Sequence, residues 1–493
     1  MSVQLEKIGK QTMVYTAGII IGKVASFVML PVYTRYLTPA DYGVLELISM
    51  TIEVIGMITG VGLASGVFKF YCAEEDRAEK NAIISTAALG VMALALLTGA
   101  LGLAFAPRIS QLIFANEANT LYLRLYFILF VLQNFEFVPL LLIRAENRAV
   151  LFVIVNAIRL IVVLSLNIVL VVYFRMGIKG VLLGGIITGV CMSTGLTWYL
   201  VRQVGIRLSP EKFRQMLRFG SPMMPWVLGS FVLVFSDRFF LNHYTDTSTV
   251  GIYSLAYKFA FVVSAFAVIP FQTTWDIQRF EVAKRPDALE VYARVFLYMN
   301  LAVGLVGLAV SLFVRDFLYV MSDHAFLPAY RLVPLLIAAQ IIFTWGAFCN
   351  LGLFVSGKTD AMGTGAIVLV PVTLAVNYLL IPRFGMHGAV WATLVAYTIR
   401  FWWIYHFAQR YYPIRYRWGE MAKLYGVLGA AVLVRFIYHP TYVPASIGWS
   451  AILLLTAAYL VYHLLSDADR AALRATVRRY ILGAVRIRAG TAA

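Results

Sequence analysis

Cysteine is nearly absent. Cys72, Cys191 and Cys349 are scattered among 493 residues, with no CxxC pair and no histidine cluster beside them. That leaves a disulfide framework or a cysteine-ligated zinc site unsupported, and the three thiols read as lone buried packing residues. Histidine is as sparse: His243, His324, His387, His406, His439 and His463 stand singly, none at metal-ligand spacing from another. No serine or cysteine has a visible base, so the residues point to no metal centre, no cofactor and no enzymatic nucleophile. Charge is the third shortage. Only 13% of the residues are Asp, Glu, Lys or Arg, against roughly 25% in a soluble domain.

Apolar length takes the place of charge. Hydrophobic residues make up 61% of the chain, in recurring runs of about 20 residues, each long enough to cross roughly 30 Å of hydrocarbon. The chain therefore reads as an all-α polytopic membrane protein. About fourteen spans are expected on this pattern, near 12–34, 43–67, 82–106, 120–142, 149–173, 180–201, 220–241, 250–274, 292–314, 329–355, 361–381, 385–408, 420–438 and 446–464. The first is too long for a cleaved secretory signal, carries Lys23 in its middle and has no small-residue cleavage site before Arg35.

The +17 net charge is a topology signal rather than a nucleic-acid footprint. With the N-terminus inside, the inner segments hold more than twice as many Lys and Arg residues as the outer ones. That bias places both termini in the cytoplasm, with anionic lipid as the next partner of the basic loops.

Two related stretches organise the chain. RYLTPADYGVLEL, Arg35 to Leu47, links the first two spans, and DRFFLNHYTDTSTVGIYSL, Asp237 to Leu255, is a looser copy. Each runs from an arginine and an aromatic residue through a polar turn to a glycine, two bulky residues and a leucine. Thr38 suits a helix N-cap, Pro39 the first helical position, and Asp41 completes a capping box. Arg35, Asp41, Gly43, Arg238 and Gly251 thus form a candidate interface motif, the two arginines marking where the apolar runs stop.

A second pair of segments extends the duplication. Glu146 to Gly184 aligns with Ser356 to Ala392, pairing Asn167 with Asn377, Gly177 with Gly385 and Gly180 with Gly388. Two pseudo-symmetric six-helix lobes follow, 1–201 and 220–412, joined by a basic cytoplasmic linker at 202–219. Spans 13 and 14 occupy 413–465, and 466–493 reads as a basic amphipathic tail on the inner leaflet. Six spans per copy give both lobes the same orientation, with a cleft between them.

Four cations fall inside spans: Lys23, Arg159, Lys258 and Arg400. Each costs roughly 2.5–3.5 kcal/mol at a helix centre, so each should face a partner or a wet cavity. A cationic chamber would suit a phosphate or carboxylate; salt bridges or snorkelling are the simpler reading. Glu53, Glu136 and Asp237 are the main intramembrane acids, and Glu53 and Asp237 are candidates for ion coupling. Glu46, Ser49, Glu53, Gly56 and Gly60 form a polar and small stripe along the second span. GLFVSGKT, Gly352 to Thr359, matches the phosphate-loop pattern. It ends a span with no soluble α/β domain around it, so it is read as coincidence.

The stretch from Lys10 through Leu47, with the two asparagine–glycine segments above, resembles the bacterial polysaccharide-repeat-unit flippases. These belong to the multidrug/oligosaccharidyl-lipid/polysaccharide exporter superfamily, and the resemblance covers roughly residues 5–412. It implies a flippase that carries an undecaprenyl-diphosphate-linked oligosaccharide across the bacterial inner membrane by alternating access, for O-antigen or exopolysaccharide synthesis. Lys23 and Lys258 lie on spans that carry cavity cations in relatives. Membrane lipids, and a polysaccharide polymerase with other assembly proteins, are the implied partners. A cation-coupled multidrug exporter of the same superfamily is the first alternative. A membrane glycan polymerase or glycosyltransferase is the second; it would need a larger extramembrane domain than these loops provide.

Overall fold

The computed structural model describes residues 29–60, 63–358, 360–438, 440–467 and 469–471. Lys23, most of the first expected span and nearly all of the 466–493 tail lie outside them. Every regular element among the described residues is helical. Ten helices are long and apolar enough to cross a membrane, which makes this a multi-pass membrane protein. All-helical architecture is what a hydrocarbon solvent demands, because each backbone N–H and C=O must be paired within its own segment.

Helices α1 (Leu30–Tyr36) and α2 (Pro39–Gly60) meet at the first motif. The capping box forms as expected: the Thr38 hydroxyl accepts from Asp41 N at 3.1 Å, and Asp41 Oδ2 accepts from Thr38 N at 3.1 Å. There follow α3 (Leu63–Ala73), α4 (Arg77–Phe114), α5 (Thr120–Ala145), α6 (Ala149–Asn167, with a π-turn to Tyr173) and α7 (Gly177–Val204). Helices α2 to α7 pack on one another as a first bundle. The expected second span, 43–67, falls on α2 and the start of α3, with residues 61–62 outside the described ones.

The linker holds α8 (Pro210–Gly220), a short amphipathic helix capped by Ser209. It is fastened to the first bundle. Arg207 N donates to the Ser85 hydroxyl at 2.8 Å and Ser209 N to the Thr86 hydroxyl at 3.0 Å, while Lys212 pairs with Glu79.

The second bundle comprises α9 (Met224–Tyr244), α10 (Thr247–Val263), α11 (Ile269–Val282), α12 (Ala288–Met321), α13 (Val333–Cys349), α14 (Leu351–Val355) and α15 (Asp360–Tyr411). Two expected spans, 361–381 and 385–408, are the limbs of the 52-residue α15, whose backbone leaves helical geometry at Gly385 (φ 54°, ψ −130°). Gly177, its partner in the duplication, is also left-handed, at φ 58°, a conformation that favours glycine.

The asparagines repeat their roles as well. Asn167 donates to the Tyr33 hydroxyl at 2.9 Å, and Asn377 to the Ser236 hydroxyl at 3.0 Å. Each ties the fifth helix of its copy to the first.

Helices α16 (Trp418–Ile437) and α17 (Val443–Leu464) form a hairpin against α12. A deep polar cluster pins it: Arg435 meets Asp316 at 3.1 Å and donates to the Ser446 and Ser450 hydroxyls. At the hairpin's other end, Asp469 accepts from Tyr298 at 2.8 Å, from Arg417 at 2.9 Å and from Ser466 at 2.5 Å. One sequence reading fails here. Cys349 is buried, but Cys72 and Cys191 are exposed, because a membrane protein can turn a thiol toward lipid without cost.

Candidate functional site between the bundles

The two copies of the motif meet. Helix α2 packs against α10, and Gly43 lies against Gly251 so closely that a Cβ on Gly43 would sit 2.0 Å from the Thr247 carbonyl oxygen. A Cβ on Gly251 would sit 2.0 Å from that of Pro39. Only glycine allows the backbones this approach. The motif is thus a contact between bundles as well as a turn.

Other inter-bundle contacts gather at the same end of the molecule. Arg35 donates to the Val320 carbonyl at 3.1 Å, Asp323 N to the Thr34 carbonyl at 3.0 Å, and Asn242 to the Ile113 carbonyl at 2.5 Å. These acceptors are near the last turns of α1, α4 and α12. Together they close one end of the junction.

One turn further along α2, and two along α10, Glu46 pairs with Lys258 across the bundles. The ammonium also lies 4.8 Å from the Tyr42 ring centroid, a cation–π contact. The partners differ in access. The Lys258 side chain is 44% exposed and that of Glu46 only 17%.

Beside this pair the first bundle opens into a cavity of about 600 Å³. Ser49, Glu53, Gly56 and Gly60 of α2 line one side; Tyr126, Gln133 and Asn134 of α5 line the other. Ser49 and Tyr126 share a hydrogen bond of 2.7 Å. The stripe read along the second span is this cavity wall. Its volume lies in the roughly 300–1,000 Å³ range of ligand sites, and its hydroxyl, amide and carboxylate groups suit a hydroxyl-rich ligand.

Arg159 and Arg400, the other intramembrane cations among the described residues, do not join Lys258 in one chamber. Arg159 sits 3.1 Å from Glu136, which is buried on α5. Arg400 donates to the Phe343 carbonyl at 3.3 Å and stacks 4.3 Å from that ring, in a 30 Å³ recess walled by Trp226 and Trp403. Each is engaged within its own bundle, as expected of a costly intramembrane charge that finds a local partner.

Arg238 is enclosed by protein, 1% exposed, paired with Asp237 at 2.7 Å and stacked 4.0 Å from the Tyr257 ring. Asp237 in turn accepts from the Tyr253 and Thr393 hydroxyls. Its carboxylate is saturated, which suits a structural cross-link between α9, α10 and α15 better than ion coupling. The phosphate-loop look-alike straddles the end of α14, and no strand occurs among the described residues. Sequence reasoning passed over Glu46 as an acid near the interface; its position three residues after Gly43 was the available signal.

A family model described as polysaccharide biosynthesis protein matches residues 8–275, more than half of the chain. The chain belongs to that family. Among solved structures, this family member is similar to a lipid II flippase, MurJ, in an inward closed conformation. The TM-score is 0.71 at 10% identity, over 92% of this chain and 99% of that one. It is also similar to the MATE transporter VcmN of Vibrio cholerae, with a TM-score of 0.59 at 15% identity over 82% and 98%. An inward-facing multidrug resistance MATE transporter gives 0.57 at 14% identity over 81% and 92%. Identities this low establish a shared fold, that of flippases and multidrug transporters. No curated protein sequence matches the chain.

Proposed function

We propose that the protein is a flippase that moves undecaprenyl-diphosphate-linked oligosaccharide repeat units across the bacterial inner membrane by alternating access. The observation that carries this reading is Lys258, an accessible cation between two bundles, next to a polar cavity of sugar-compatible size. The diphosphate would pair with Lys258, the sugars would lie against Ser49, Tyr126, Gln133 and Asn134, and the polyprenyl chain would stay in lipid. Lys23 is assigned to the same anion site, and Glu53, in the cavity wall, to ion coupling. The bundles serve as the lobes 1–201 and 220–412, with both termini cytoplasmic and the closed end outward. A polymerase and other assembly proteins would take the product on the far side. The chain itself performs no bond chemistry in this reading.

The MATE transporters share the fold, and drug export is the competing reading. Organic cations would require accessible acids, whereas here the accessible partner of the central pair is the lysine. Liposomes carrying purified protein and a labelled polyprenyl-diphosphate oligosaccharide distinguish the three activities. Outward appearance of intact substrate is expected. Chain growth would indicate a polymerase, and transport of an organic cation instead would indicate an exporter.

A further inference from the structure

The Lys258–Glu46 pair does two things at once. It occupies the cation assigned to the substrate, and it joins α2 of one bundle to α10 of the other. Those uses conflict, because a lysine fully engaged by a diphosphate has less to give a carboxylate. We propose that Glu46 is an unlatching residue: a diphosphate entering the cleft draws Lys258 away from Glu46, and loss of that inter-bundle pair frees the closed end to open. This rests on the flippase reading for the identity of the anion, but not for the existence of the latch.

Three observations carry it. The first is the difference in exposure, 44% for Lys258 and 17% for Glu46, which puts the cation on the route of an incoming anion and the acid behind it. The second is position. The pair lies one turn beyond Gly43 on α2 and two turns beyond Gly251 on α10, next in line after the glycine contact. The third is the character of the neighbouring contacts. The Asp323 and Asn242 donors are neutral amides, which hold an anion weakly, and Arg35, which donates to the Val320 carbonyl, precedes Gly43 on the closed side of the glycine contact. Glu46 is the acceptor whose donor the substrate competes for. A diphosphate carries more charge than one carboxylate and offers more acceptor oxygens, so the exchange favours it. A ligand shifts a two-state equilibrium only through such a difference between the states.

Hydrogen exchange on the full chain in nanodiscs tests the latch, read by mass spectrometry at the Asp323 amide and the first turn of α10. Undecaprenyl diphosphate without sugars is the probe. In the wild type the probe should speed exchange at both sites, by roughly five- to tenfold. Glu46→Gln should show that faster exchange with no probe and little further response. The swap Glu46→Lys with Lys258→Glu should restore slow basal exchange, because the pair is rebuilt. It should not respond to the probe, because the accessible partner is now an acid. Unchanged basal exchange in Glu46→Gln, with the swap folded, overturns the latch. A wild type blind to the probe overturns displacement by the diphosphate. The flippase reading fails separately, if the liposome assay shows no movement of oligosaccharide while Glu46→Gln still opens.

Discussion

Gly43 and Gly251 are symmetry counterparts in one contact: each has the other's backbone nitrogen 3.0 Å from where its own Cβ would stand. The duplication therefore does more than repeat a turn. It brings two copies of one glycine face to face and makes the joint between the bundles from them.

A methyl group at either position has no room, and the obstacles are backbone atoms that cannot swing aside. Gly43→Ala and Gly251→Ala should each destabilise the purified protein by about 1–3 kcal/mol, seen as a lower unfolding temperature. The double variant should cost less than the sum, because both methyl groups push apart the same two helices. Additive losses would show that the two glycines act in separate contacts.

The cluster of Arg435, Asp316, Ser446 and Ser450 holds the last hairpin to α12, with both ionic side chains below 10% exposure. Arg435→Met leaves Asp316 buried without its cation and should cost about 3–5 kcal/mol. Arg435→Met with Asp316→Leu should recover most of that loss. Denaturation of both variants in the same detergent checks the order. A double variant weaker than Arg435→Met would contradict it.

Asp469 supplies a pH dependence at the opposite end of the same hairpin, beside Arg417. Burial alone would raise its carboxyl, but hydrogen bonds from Ser466 and Tyr298 and the charge of Arg417 outweigh burial and hold it below the ordinary value of 3.8. A lowered folded-state value means stabilisation that is complete above about pH 4 and fades as pH falls through the folded-state value. Acid titration followed by Trp418 fluorescence should therefore report loosening of the hairpin below about pH 4. Asp469→Asn should be loosened already at pH 7 and should lose that acid transition.

Asn167 and Asn377 make equivalent bonds in the two copies. Asn167→Ala and Asn377→Ala should each cost about 0.6–1.7 kcal/mol, the scale of interhelical hydrogen bonds in membranes. Being in different bundles, the two losses should add. Thermal unfolding of the single and double variants tests both statements.

Much of this was legible in the residues. Asn167 with Asn377 and Gly177 with Gly385 aligned in sequence, and they do matching work in the fold. The stripe from Glu46 to Gly60 was visible because a helix repeats every 3.6 residues, and it became the cavity wall. The enclosure of Arg238 and Asp237 was not legible, for a physical reason. A charge beside an apolar run reads as a boundary, and nothing local says that Tyr253 and Thr393, on two other helices, will enclose it. The local partners of Arg159 and Arg400, Glu136 and Phe343, come from other helices, so the pairing could not be read from either arginine's own stretch.

The sequence by itself determined that the chain is helical and membrane-spanning, that it is duplicated, and where its turns and caps fall. Those properties follow from hydrophobic length, helical period and local hydrogen bonding, all of which act over a few neighbouring residues. Only the tertiary structure decided which charges meet. Lys258 and Glu46 lie on different copies of the repeat, and their pairing, with one exposed and the other shielded, exists only once Gly43 and Gly251 have drawn the two bundles together.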